Sequence, residues 1–164
     1  MSGAGAPEFD CELRADSGGR ALTGVVVRYG DRASLYGFTE AVRAGAFTFD
    51  DVVLNVQHDR GRPLARTGGG LTLQDGPDRM TMRAELPDTR EAADVLALVR
   101  SGVLRGLSVG MKVDGDEWRR VGGRERRTIT RAVIRHIAVV DTPAYRDSGV
   151  QARAKAPRRW KLWR

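Results

Sequence analysis

A single stretch of this chain, PDTREAADVLALVRSG (87–102), repeats its apolar residues with the period of an α-helix. Almost every other apolar run either alternates with a period of two or forms a β-branched block bounded by glycine. In the helical stretch Ala92, Val95, Leu96 and Val99 share one face, Asp88 with Glu91 three residues later makes a capping box, and Gly102 supplies the stop. A chain with one such helix has to bury its apolar surface mainly sheet against sheet, or by curling a sheet around its own core.

The strands predicted on that basis begin with ALTGVVVRYG (21–30), a buried run between glycines. The glycine-punctuated segment 36–50 is expected to hold turns and one short helix, with Phe38, Phe47 and Phe49 as core contacts. In DVVLNVQHD (51–59) the period of two puts Val52, Leu54, Val56 and His58 on one face and Val53, Asn55 and Gln57 on the other, so His58 ends an apolar row. A turn-rich stretch, RGRPLARTGGG (60–70), leads to LTLQDG and RMTMRAEL, which read as a hairpin around Gly76 and Pro77. After the helix come LSVGMKVD (107–114) and AVIRHIAVVD (132–141), the latter with His136, Ala138 and Val140 on one face. Six or seven short strands and one main helix predict a mainly β chain with peripheral helices (α+β), folded as a small closed or strongly bent β-barrel.

The chain has 164 residues, enough for one domain with a real core. We divide it into a flexible N-terminal segment (1–19), a domain (20–152) and a basic tail (153–164). The net charge of +7 raises the question of a nucleic-acid partner. The tail, RAKAPRRWKLWR, holds six Lys or Arg and no acid, which leaves 22 basic against 21 acidic residues in the rest of the chain. The body is thus nearly neutral. A second basic cluster, RRVGGRERRTITR (119–131), reads as a solvated hairpin or loop. Tail and cluster together leave contact with an anionic partner open. No apolar run is long enough to cross a bilayer, and the N-terminus lacks the basic start and apolar stretch of a signal peptide. Cys11 is the only cysteine, which excludes an internal disulfide, and with two histidines in the chain it argues against a structural zinc site. No cofactor is expected.

The stretch GLSVG (106–110) fits the G-x-S-x-G nucleophile elbow of α/β-hydrolases. That elbow needs a helix directly after the serine, whereas MKVDGDEW continues the period of two. Ser108 therefore projects from within a strand, on the face opposite Leu107, Val109, Met111 and Val113, and Gly106 and Gly110 leave its surroundings open to close approach. Serine becomes a useful nucleophile only when a base takes its proton and a third group orients that base. His58 and His136 are the only histidines, both in apolar runs where a polar residue is disfavoured.

From about Ala21 to Arg153 the chain resembles the prohead, or capsid-maturation, proteases of tailed bacteriophages, related in fold to the herpesvirus assemblins. The resemblance is carried by ALTGVVVRYG, by VRAGAF, by VVLNVQHDRGRPLART, by AELPDT, by LVRSGVLRGLSVGMKV followed by Trp118, and by RTITRAVIRHIAVVDTPAY. Six stretches in one order make it specific. It implies a herpesvirus-protease-like barrel and a serine endopeptidase in which the family's catalytic histidine matches His58 and its serine matches Ser108. Many phage members carry an acid where this chain has His136. Assemblins use a second histidine as third triad member, so the resemblance gives His136 that place, with Asp59, Asp141 or a water as alternatives. Oxyanion donors are sought in 124–130 or in the loop around Thr142.

The implied substrates are scaffold and major capsid protein, and the protease itself, cleaved inside the assembling prohead in the cytoplasm of the bacterial host. A homodimer is what the assemblin relationship suggests, and no membrane is involved. The competing reading is a non-catalytic capsid-assembly or nucleic-acid-binding module that uses the basic tail.

Overall fold

The computed structural model describes residues 13–35 and 37–142. The N-terminal segment as far as Glu12, the PAY motif and the basic tail lie outside the described residues. In chain order the elements are β1 (Leu13–Ala15), β2 (Ala21–Arg28), β3 (Ala33–Leu35), β4 (Phe38–Val42), β5 (Phe47–Thr48), β6 (Val53–Val56), β7 (Asp59–Thr67), β8 (Gly70–Asp75), β9 (Arg79–Glu85), α1 (Arg90–Arg100), β10 (Gly106–Val121) and β11 (Arg124–Val140).

The chain is mainly β, as its patterning predicts, but the barrel is not formed. The strands make one sheet in the order β1-β2-β9-β8-β7-β6-β11-β4-β3, with β5 and β10 paired to β11 off that path. Its end strands β1 and β3, three residues each, are not paired to one another, so the sheet stays open and the closed, herpesvirus-protease-like architecture is not what these strands build. Alternation marks strands but not their partners, and closure depends on the partners. The sheet nevertheless curls: Leu22 and Val27 of β2, Met80 and Met82 of β9, Leu54 and Val56 of β6, Leu107 of β10 and Ile137 of β11 meet in one buried cluster.

Segment 36–50 contains no helix among its described residues. It supplies β4 and β5, two of the strands that lie parallel to β11. The stretch expected to be turn-rich is mostly β7, in which Pro63 is accommodated beside a register shift opposite Asn55, where the ladder is already interrupted. The hairpin around Gly76 forms as expected between β8 and β9. The basic cluster is a hairpin too, but belongs to two long strands joined at Gly122-Gly123, both with positive φ as a type I′ turn requires.

Helix α1 buries Ala92, Val95, Leu96 and Val99. Its cap lies one residue beyond the expected Asp88: Thr89 has extended backbone, and its hydroxyl accepts from the Ala92 amide at 3.1 Å. With alanine three residues after the cap, the reciprocal half of a capping box is missing. Asp88 pairs instead with Arg20, and Glu91 with Arg62 of β7 at 2.7 Å. At the other end, Gly102 with φ 76° donates to Val99 and Val103 to Leu98, the two bonds of a Schellman motif.

The centre of the sheet is β11. It pairs antiparallel with β10 along one edge and parallel with β4, β5 and β6 in succession along the other. Near its lower end Arg127, 7% exposed, is held between Glu40 at 3.0 Å and Asp116 at 2.8 Å and lies over the Trp118 ring. This pairing allows Arg127 and Glu40 to be buried, with Asp116 closing the network from the exposed side.

Candidate active site

Cross-strand register places Ser108 opposite Ala138, Gly110 opposite His136, His136 beside Val53 and Ala138 beside Asn55. Residues two apart share a face, so Ser108, Gly110, His136, Ala138, Val53 and Asn55 occupy one side of β10, β11 and β6. On the other side Leu107, Ile137, Val139, Leu54 and Val56 enter the core, as expected for the residues flanking Ser108.

His58 does not continue the apolar row of Val52, Leu54 and Val56. The strand ends at Val56, and Gln57 and His58, with φ of 53° and 60°, form a two-residue turn into β7. Both residues are left-handed, which a glycine or asparagine would adopt more readily; each such position in a side-chain-bearing residue costs roughly 1–2 kcal/mol. The turn is held by the Gln57 amide donating to the Val139 carbonyl at 2.9 Å. It carries His58 from the core row to the face of Ser108. Strain of this kind is tolerated where the geometry serves a site.

The three side chains form a chain of hydrogen bonds. His58 Nε2 lies 3.0 Å from Ser108 Oγ, and His58 Nδ1 lies 2.7 Å from His136 Nε2, with the two rings edge to face at 81°. With the Ser108 hydroxyl donating to Nε2, His58 carries its proton on Nδ1 and donates it to Nε2 of His136, whose own proton is then on Nδ1. Burial pushes both imidazoles below the ordinary value of 6.5; for His136 the neighbouring His58 and Arg60 push the same way. Both are therefore neutral near pH 7, and His58 is free to accept a proton. Ser108 is 8% exposed.

Gly110 has a function that its sequence position alone did not reveal. The His136 ring lies where its side chain would be: a Cβ added there would fall 2.0 Å from Cε1 and 2.4 Å from each ring nitrogen. The open space expected beside Ser108 is not found at Gly110, where it is filled by an imidazole of the site, and Gly106 is buried.

Of the other candidates for the third position, Asp59 spends its carboxylate on the Gly61 amide at 2.8 Å, closing a turn in the three-residue bulge after His58. Asp141 is tied through its carbonyl to Arg105 Nε at 3.1 Å. Residues 124–130 are not near the serine: Thr130 precedes Ala138 by eight residues, roughly 26 Å along the strand. The loop around Thr142 begins next to Gly106, where the Arg105 amide donates to the Val140 carbonyl. Among the described residues no group of three His, Cys, Asp or Glu is placed to hold a metal ion, and no helix is long and apolar enough to cross a membrane.

The model of the caudovirus prohead serine protease family matches residues 9–161, and the chain belongs to that family. No curated protein and no solved structure matches it.

Proposed function

We propose that this member of the prohead serine proteases is a serine endopeptidase with Ser108 as nucleophile, His58 as general base and acid, and His136 as the residue that orients His58. The observation that carries this reading is the unbroken path from Ser108 Oγ through both nitrogens of His58 to His136 Nε2, at 3.0 and 2.7 Å. Ser108 attacks a peptide carbonyl while His58 Nε2 removes its proton. The resulting imidazolium donates that proton to the leaving amine, and a water activated by the same nitrogen hydrolyses the acyl-enzyme. Throughout, His58 Nδ1–H stays on His136 Nε2, which fixes the tautomer. A neutral imidazole balances the imidazolium less than a carboxylate does, so acylation is slow compared with a Ser-His-Asp site.

The substrates are scaffold and major capsid protein, with the chain itself as a further target, and the work is done inside the assembling prohead. The basic tail from Arg153 to Arg164 serves as a docking segment for packaging, and the catalytic unit spans 20–152. A non-catalytic module would have no use for a serine held against a neutral histidine at the end of a strained turn.

Fluorophosphonate labelling of Ser108, which needs no knowledge of the cleavage sequence, tests the assignment together with processing of co-expressed capsid protein. Ser108→Ala and His58→Ala each abolish both, and the double variant is no worse than either. Near-wild-type processing by either single variant overturns the proposal.

A further inference from the structure

The outward face of β1, β2, β9 and β8 carries charge of one sign. Leu13, Leu22, Met80, Met82 and Leu71 are buried in the core, so Arg14, Thr23, Arg79, Thr81 and Arg83, which alternate with them, face out. Together with Arg28 they line a cavity of about 620 Å³ that is bordered by four arginines and by no acid among the described residues. Arg28 and Arg79 stand directly opposite one another across the β2–β9 ladder, where like charges repel. Arg83 is engaged by Glu85 and Asp16. Neither Arg14 nor Arg79 has an ion pair among the described residues. A backbone edge adjoins the same face: β1 pairs with β2 only as far as Gly24, so Val25–Arg28 has no ladder partner on that side among the described residues.

The chain leading into β1 matches both features. The residues before it, MSGAGAPEFDCE, hold three acids and no Lys or Arg. Glu8, Asp10 and Glu12 alternate with Phe9 and Cys11, and the alternation runs on unbroken through buried Leu13 and outward-facing Arg14. In an extended chain the acids therefore share the face of Arg14, and Phe9 and Cys11 the face of Leu13. The ladder sets Leu13 opposite Gly24 and Arg14 opposite Thr23. Continued by one pair, it sets Glu12 opposite Val25. There β2 bulges, since Val25 and Val27 pair with the consecutive Thr81 and Met80 of β9. A strand that passes the bulge as β9 does has Asp10 opposite Arg28, ~4.8 Å away between Cα atoms, and in line with Arg79 at ~9.6 Å. Both arginines are long enough to meet its carboxylate.

We infer that this cavity is the docking site of the chain's own residues 8–12, which continue β1 along the open edge of β2 and lay Glu12 and Asp10 among Arg14, Arg28 and Arg79. The docked segment covers the edge of β2 and withdraws a four-arginine face from other polyanions. The inference stands independently of the protease reading.

Cys11, the only cysteine, is the probe. Its reaction with DTNB is followed in the folded full chain carrying Ser108→Ala, which excludes self-cleavage, and in the same chain unfolded in guanidinium. Docking sets the thiol on the core side, so the folded chain should react at least ~10-fold more slowly. Arg79→Glu and Asp10→Lys should each raise the folded rate roughly three- to tenfold, and the two together should be slower than either alone, because the pair is restored with its signs exchanged. Loss of a cation near a thiol by itself raises the thiol pKa and slows it, so a faster rate in Arg79→Glu reports release of the segment. Arg119→Glu, equal in charge but on the β10–β11 hairpin, should stay within twofold of the parent. Single variants within twofold of the parent, a double variant that is not slower than both singles, or an equal effect of Arg119→Glu overturns the inference. So does a folded parent whose Cys11 reacts at the unfolded rate; capture of fluorescein-labelled oligo-aspartate or oligothymidylate by that chain, lost in Arg79→Glu, would then make a separate polyanion the occupant.

Discussion

Replacing Gly110 by alanine tests whether His136 has to stand where it does. The added Cβ would meet the ring at 2.0 to 2.4 Å, against the 3.5 Å or more of an ordinary carbon contact. The imidazole must therefore retreat by about 1.5 Å, or swing out of the site altogether. Either movement breaks the 2.7 Å bond from His58 Nδ1. A displacement of about 1 Å in a catalytic constellation costs on the order of 10²-fold in rate, or ~2.7 kcal/mol of transition-state stabilisation. The fold should survive. Gly110 is not among the residues with positive φ, and His136 is only half-buried, so its ring has somewhere to go. The assay is the rate of fluorophosphonate labelling beside a thermal melt, for Gly110→Ala, His136→Ala and the double variant. Gly110→Ala should label about a hundredfold more slowly with a midpoint within a few degrees of wild type, and the double variant should be no slower than His136→Ala. Wild-type labelling by Gly110→Ala, or additive losses in the double variant, would show that the ring's position against Gly110 does not matter to the serine.

His136→Ala should slow labelling less than His58→Ala, because water can replace part of an orienting contact, and His136→Glu should retain activity; a fully active His136→Ala moves the third role elsewhere. Labelling of the wild type should rise with pH through an apparent pKa below 6.5 and level off above it, since only the neutral form of His58 accepts the proton and burial lowers both imidazoles. The same shifts make stability complete above 6.5 and progressively lost as pH falls below it, where the unfolded chain takes up protons first; urea midpoints at pH 7.5 and 5.5 read this out. Arg127→Met removes the guanidinium from Glu40, whose side chain is 3% exposed, and should cost ~3–5 kcal/mol in denaturant melts, while Arg127→Met with Glu40→Leu recovers much of it.

Period-two alternation located the β8–β9 hairpin and the strands of Ser108 and His136, because a strand with one buried face writes that face directly into its side chains, and β2 was found as a β-branched run between glycines. The same rule misplaced His58. It has no means of sensing that the backbone turns left-handed after Val56, and Gln-His lacks the Asn-Gly chemistry that normally announces such a turn. The two-residue strand β5 was read as part of a turn because its partner, β11, is more than eighty residues away in sequence, while β4, which also pairs with nearby β3, was missed among the glycines around it. The open sheet was misread as a barrel for the same reason, since closure is a property of pairing. Asn55 was assigned to a face, but only the parallel register of β6 on β11 brings it into line with Ser108.

That register also governs when chemistry can begin. The turn bearing His58 hangs on β11 through Gln57, the strand bearing Ser108 has β11 as its only ladder partner among the described residues, and His136 belongs to β11 itself. During synthesis His58 emerges 78 residues before His136, and a contact so far apart in sequence forms late, whereas Ser108 waits only for the hairpin partner that follows it. A nascent chain exposing Ser108 and His58 therefore carries two inert side chains. On the proposed reading, the three side chains meet only when both β10 and β6 have paired with β11, so neighbouring polypeptides are spared until those ladders have formed.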